Sequence, residues 1–187
     1  MCLVDTIQQM WQTGNIPQEL GWTVLFLINK GTTNTRGIGL LDTLWKVVEV
    51  LIETCLRASI QFHYVLHGDR SRRGTGTAIT KLKLAHDLDR VYHKPLLLVL
   101  LDLWKSYNTV EMEHFIQTLE GYRVGPRMCG LLKTYLAHQK VVPRQNVYHG
   151  PALPYTRGTT QGGLVSPTLF NGVMDNVIWT WLAMAVE

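Results

Sequence analysis

Apolar positions along this chain change period several times, and each change marks an element. Ile7, Met10 and Trp11 share one side of a helical repeat over residues 1–13, which stops at Gly14-Asn15-Ile16-Pro17. Trp22 to Ile28 is dense in β-formers and reads as a strand closing on Asn29-Lys30-Gly31. A polar turn, Thr32 to Thr35, leads to Arg36-Gly37-Ile38-Gly39. Leu44, Val47, Val48, Leu51, Ile52, Cys55 and Leu56 recur at helical spacing and predict a helix over 42–59. A glycine-rich basic loop, 68–76, feeds a helix over roughly 77–92, which Lys94-Pro95 ends. The unbroken apolar run Leu96 to Leu101 then reads as a strand buried on both faces, stopped by Asp102.

The second half is more helical. Val110 to Leu119 has helical spacing, and Asn108 with Glu111 three residues later fits a capping box. Another helix opens at Gly125-Pro126, where proline suits the first turn. Residues 141–160 carry strand and turn signals, and Ser166 as N-cap with Pro167 behind it starts a last long helix. Strands and helices do not alternate regularly, and no repeat or flexible linker is visible. The expected class is α+β.

Composition narrows this further. The chain has 187 residues, of which 46% are hydrophobic, enough for a packed core. Eighteen basic against 14 acidic residues give a net charge of +4 and a pI near 9.0, compatible with a polyanionic partner. Arg70, Arg72 and Arg73 concentrate part of that charge in one loop. Three widely spaced cysteines, Cys2, Cys55 and Cys129, make neither a disulfide framework nor a zinc pattern, so a reducing compartment is expected. The N-terminus lacks the basic start and apolar core of a signal peptide, so the expected location is intracellular, cytoplasmic or nuclear, and not secreted. Leu164 to Val186 is apolar enough to suggest a membrane span, but Pro167, Asn171, Asp175 and Asn176 argue for a buried helix instead.

Four features could carry chemistry. Asp102 would sit at the exposed end of a buried strand, where a carboxylate can ligate a metal or simply cap a turn. Tyr107 follows it by five residues and reads locally as core packing as well as a ring facing a ligand. Gln161-Gly162-Gly163 permits close backbone approach of a planar group, or serves only as a turn before a helix. The loop Gly68 to Thr77 is not a phosphate-binding loop of a nucleoside triphosphatase, because its spacing is wrong and its lysine is missing. Contact with a nucleic-acid backbone is the better functional reading, against a solvated basic turn. Neither the histidines nor Gly163-Leu-Val-Ser166-Pro167 make a zinc site or a hydrolase elbow.

Taken together and in order, these stretches resemble the reverse transcriptase family. Asp102-Leu-Trp-Lys-Ser-Tyr107 is similar to the first palm motif, and Gln161-Gly162 with Ser166-Pro167 and Phe170 to the second. Arg36-Gly-Ile-Gly-Leu-Leu41 with Lys46 and Glu49 resembles a fingers block, and Gln61 with the Gly68 to Thr77 loop resembles the adjacent one. The match covers roughly residues 10 to 180, with the flavour of non-long-terminal-repeat retroelements and group II intron enzymes.

The resemblance implies a right-hand polymerase, fingers plus partial palm. Residues 1–94 would be fingers, 95–110 palm, 111–150 fingers again and 151–187 palm, incomplete. It implies two-metal nucleotidyl transfer, with Asp102 and the backbone carbonyl of Leu103 holding Mg²⁺, or Mn²⁺ as the alternative ion. Lys30 and Arg36 would meet the triphosphate, Tyr107 would close off space beside the sugar, and Gln161 and Gly162 would lie against the nascent base pair. Arg70, Arg72 and Arg73 would touch the template backbone. The implied partners are an RNA template, a DNA primer and deoxynucleoside triphosphates, with no membrane. The sequence says nothing of oligomeric state.

Two departures stand out. Asn108 replaces the Asp that often follows the metal ligand by six residues, and the third palm motif, an aromatic, any residue and two aspartates, does not occur before Glu187. The expectation is a partial copy of a retroelement polymerase, inactive in isolation. Its rival is a nucleic-acid-binding remnant without turnover. An RNA-templated RNA polymerase is a third reading, but its gate position more often carries a polar residue than a tyrosine.

Overall fold

The computed structural model of the chain describes residues 3–29, 35–93, 95–145 and 147–185. Local pairing begins with Trp22–Asn29 (β1) and Thr35–Leu41 (β2), which run antiparallel with Thr23 opposite Leu41 and Asn29 opposite Thr35. The other edge of β1 pairs in parallel with Lys140–Gln145 (β3), and such a pair needs a long crossover. Two short strands, Tyr148–His149 (β4) and Leu153–Pro154 (β5), add antiparallel to opposite ends of β3. The sheet is therefore small and mixed, ordered β2-β1-β3-β4 with β5 also on β3, and β2 is an edge.

Helices Leu3–Thr13 (α1), Thr43–Ser59 (α2), Thr75–Tyr92 (α3), Ser106–Thr109 (α4), Met112–Gly121 (α5), Pro126–His138 (α6) and Ser166–Met184 (α7) complete the α+β fold. Asp42 caps α2 by accepting the Leu44 N–H at 2.7 Å. The core lies between α2, α5, α6 and the first half of α7, with Met10 and Ile16 closing one end. Trp45 stacks on Tyr135 with ring centroids 3.9 Å apart, joining α2 to α6.

The long helix α7 keeps its polar residues for tertiary bonds. Asn171 Nδ2 donates to the Gly68 carbonyl at 2.9 Å, and Thr168 Oγ1 donates to Glu53 at 2.7 Å. Asp175, fully buried, accepts the His63 N–H at 2.6 Å and the Tyr122 hydroxyl. Each polar group on this face is matched, as burial demands. No described helix is long and apolar enough to cross a membrane.

Several sequence expectations need correction. The run Leu96 to Leu101 is neither a strand nor buried: it is irregular and exposed, with Leu97 at 87% and Leu100 at 83% of full exposure. No described strand lies alongside it, and an apolar run becomes a buried strand only where ladder partners and two covering layers exist. The buried stripe of α2 is Trp45, Val48, Glu49, Ile52 and Leu56, rotated from the predicted one so that Val47 and Leu51 face outward. The Asn108–Glu111 capping box does not form. Asn108 belongs to α4 and accepts the Tyr155 hydroxyl, while Glu111 precedes α5 without a side-chain cap bond. Ser166 is the first residue of α7 rather than its cap, and its hydroxyl donates to the Thr160 carbonyl at 2.9 Å.

Candidate functional site

Three chain segments converge at the edge of β2. Gln161 follows a buried Thr159-Thr160 pair, and its carbonyl accepts the Gly39 N–H at 2.8 Å. An edge strand has unpaired backbone groups on its outer side, and here the turn uses one of them. Gly39 has no room for a side chain: a Cβ would meet Thr23 Cγ2 at 2.7 Å and Thr160 Cγ2 at 3.1 Å. Gly162 sits at φ +130, a conformation open to glycine, with its α-carbon against the Gly39 carbonyl. The glycines of the two motifs are thus required by each other.

Behind the turn lies a charge. Glu49, 1% exposed, accepts the Leu164 N–H through Oε2 at 2.8 Å, and its Oε1 would stand 3.1 Å from any Cβ on Gly163. Burial pushes its carboxyl up to about 7, a rise tempered chiefly by the Leu164 N–H, increased by Glu53 and opposed by Lys46. The functional reading of the sequence gave Glu49 no role of its own. The available signal was a carboxylate one helical turn from Trp45 on the apolar stripe.

In front of the turn is a cleft of about 250 Å³, lined by Asp69, Tyr107, Thr160, Gln161, Gly162, Gly163, Ser166 and Pro167. The Tyr107 ring stacks on Phe170 of α7, centroids 4.6 Å apart and planes 24° from parallel. Its hydroxyl points to Asp69 Oδ2 at a long 3.5 Å, and burial together with Asp69 raises the phenol above its ordinary value. The Tyr107 carbonyl accepts the Thr159 N–H at 2.9 Å, so the ring and the turn share a backbone frame. Tyr107, Gln161 and Gly162 are therefore brought together. Asp69, from the Gly68 to Thr77 loop, joins them.

The other site residues are placed differently. Asp102 is exposed on the irregular segment after Leu101 and is not among the residues lining the cleft. Leu103 is exposed beside it. Lys30 lies outside the described residues, and Arg36 is described by its backbone alone, paired with Ile28 in β2. Among the described residues no three His, Cys, Asp or Glu side chains converge at Asp102 or elsewhere.

The basic loop divides its labour. Arg70 donates to the His63 carbonyl at 2.7 Å and the Leu66 carbonyl at 3.2 Å, with its guanidinium 5.9 Å from the centre of the Phe62 ring. Arg73 donates to the Tyr64 carbonyl. Arg72, at φ 59 on the turn, is exposed. Two of the three guanidiniums thus staple the 63–66 segment, and Arg72 faces solvent.

Comparison with known proteins identifies a family. Residues 28–185 match the family described as reverse transcriptase (RNA-dependent DNA polymerase). The chain is also similar to the Xenopus laevis protein named "Transposon TX1 uncharacterized 149 kDa protein", 28% identical over 174 residues. That alignment covers 88% of this chain and 13% of the relative, so the chain spans a small part of the relative's length.

Proposed function

This chain belongs to the reverse transcriptase family, and on that footing we propose that its cleft receives a deoxynucleoside triphosphate paired with an RNA template. The observation that carries the reading is the meeting of Tyr107 with Gln161-Gly162 in one cleft, although they are far apart in sequence. A flat backbone surface and an aromatic wall suit a base pair and a sugar respectively. Tyr107 would exclude a 2′-hydroxyl by volume. Lys30 and Arg36 would meet the triphosphate, Lys as a point charge and Arg as a fork. Arg72 is the loop residue best placed for the template backbone.

The family uses divalent metals, and Asp102 holds the position of a ligand in the first palm motif. The described residues do not assemble a cluster of three ligands around it, and the cleft residues of this chain would bind template and nucleotide. Polymerisation, with a DNA primer, would be the work of the longer protein of a transposon-type element, as the similarity to a transposon protein supports. A second reading is a nucleic-acid-binding fragment without turnover, favoured by the exposed, irregular backbone that carries Asp102 away from the cleft lining.

Anisotropy of a labelled RNA template annealed to a DNA primer, titrated with each deoxynucleotide, tests the first reading. Complementary nucleotide should tighten the complex and mismatched nucleotide should not. Equal responses to all four would sink it. Extension of the primer in Mg²⁺, abolished by Asp102→Asn, would overturn the second.

A further inference from the structure

We infer that Glu49 is the positioning residue of the Gln161-Gly162 turn, its buried carboxylate fixing that backbone surface by accepting the Leu164 N–H. The inference rests on the nucleotide reading of the cleft only for what the surface is for.

The placement of a carboxylate here has no stability rationale. The rest of its stripe is Trp45, Val48, Ile52 and Leu56, all buried and apolar. An apolar residue would satisfy the packing, and stripping an acid of water costs free energy that a single backbone bond does not fully return. Polar residues that break the local pattern belong where a site must be held. What Glu49 holds is a segment 115 residues away in sequence.

Among the described residues, the other hydrogen bonds of the turn centre on Thr159, Thr160 and Gln161. Gly39 N–H reaches the Gln161 carbonyl, Gly163 N–H and the Ser166 hydroxyl both reach the Thr160 carbonyl, and Thr159 shares a hydrogen bond with Ser166. Downstream, between Gly163 and the start of α7, Glu49 supplies the acceptor. The α2 helix is itself fixed by the stacking of Trp45 on Tyr135. Titratable groups acting on Glu49 are Glu53 and Lys46 on α2 and Tyr135 on α6, and the turn brings no charge of its own. Gly163 completes the fit: a side chain there would press on both Glu49 and Ser166.

Amide NMR and hydrogen exchange on the full chain test this, with Glu49→Gln and Glu49→Met compared with the parent. Methionine keeps the length and removes the acceptor, while glutamine keeps a neutral oxygen acceptor. In the parent, the Leu164 amide resonance should titrate with pH as Glu49 ionises, and Glu49→Gln should abolish that titration while keeping the amide protected. Glu49→Met should lose Leu164 protection at least tenfold, with α5 and α6 amides unchanged. Leu164 protection that is equal in Glu49→Met and the parent would overturn the inference. So would a Leu164 resonance that titrates identically in Glu49→Gln.

Nucleotide binding to the primed RNA template forms a separate arm. Glu49→Met should weaken it several-fold and Glu49→Gln should restore it. If the parent binds no nucleotide while Leu164 still depends on Glu49, the positioning role stands and the nucleotide reading fails.

Discussion

The α-carbon of Gly162 packs against the carbonyl oxygen of Gly39, so that two glycines from separate motifs form one backbone junction. A β-carbon at 162 would overlap that oxygen and would also have to adopt φ +130. Gly162→Ala should therefore cost more than about 2 kcal/mol, since both strain and overlap act together. Gly130 is the control. It lies in α6 with nothing near its missing side chain, so Gly130→Ala should stabilise by up to about 1 kcal/mol. Urea unfolding of the two variants should move in opposite directions.

Tyr107 closes the cleft through a ring held by Phe170. Tyr107→Ala should enlarge the space beside Gln161-Gly162 and admit a 2′-hydroxyl. Competition between ribo- and deoxyribonucleotides for the primed template reads this directly. Discrimination should fall about tenfold or more if the ring excludes by volume, the scale of roughly 1.4 kcal/mol. Unchanged discrimination would assign the ring to packing alone.

The exposed run 96–101 gives a contrast within one residue type. Leu97 is largely in solvent and Leu132 is fully buried in α6. Leu97→Ala should change unfolding free energy by no more than about 0.5 kcal/mol, whereas Leu132→Ala should cost about 2–5. Equal costs would mean that the run is covered in solution.

That contrast shows what the sequence could and could not specify. Helical periodicity located α2 and α5, because a stripe against a core repeats locally, and proline in the first turn located α6 and α7. The resemblance assigned Gly162 to the nucleotide side of the site and left Gly39 in a separate fingers motif, and only the fold brings the two glycines together. The fate of Leu96 to Leu101 was not legible, since burial depends on neighbours that the run itself does not encode. The same holds for Glu49: a carboxylate on an apolar stripe signals a partner without naming it, and Leu164 is far off in the chain. Asp69 entered the cleft only through the left-handed turn that carries it, φ 47.

The arginine loop separates folding from binding. Arg70 is spent on two carbonyls, so Arg70→Ala should destabilise the chain by about 1–3 kcal/mol, the usual range for charged hydrogen bonds. Arg72 makes no such bonds and Arg72→Ala should leave stability within about 0.5 kcal/mol. On RNA the order should reverse. Arg72→Ala should lower the slope of log affinity against log salt by about one, which thermal melts and salt titrations of both variants will show.

Glu49 should also make stability fall with rising pH. Its carboxyl is raised from 4.5 to about 7 in the folded chain, chiefly by burial. As pH rises from 4.5, the unfolded chain releases this proton first, while the folded chain keeps it until about pH 7. Across that window the folded state binds more protons, so each step up in pH favours unfolding. The loss should total roughly 3 kcal/mol and level off above the folded value. Glu49→Gln removes the titration but leaves Glu53, Lys46 and Tyr135 in place, so the difference between the two proteins isolates this one group. Unfolding free energies from urea at pH 5 and pH 8 should therefore converge at the acid end and separate at the basic end, with the glutamine variant the more stable. Parallel pH profiles would show that burial does not raise this carboxyl in the folded chain.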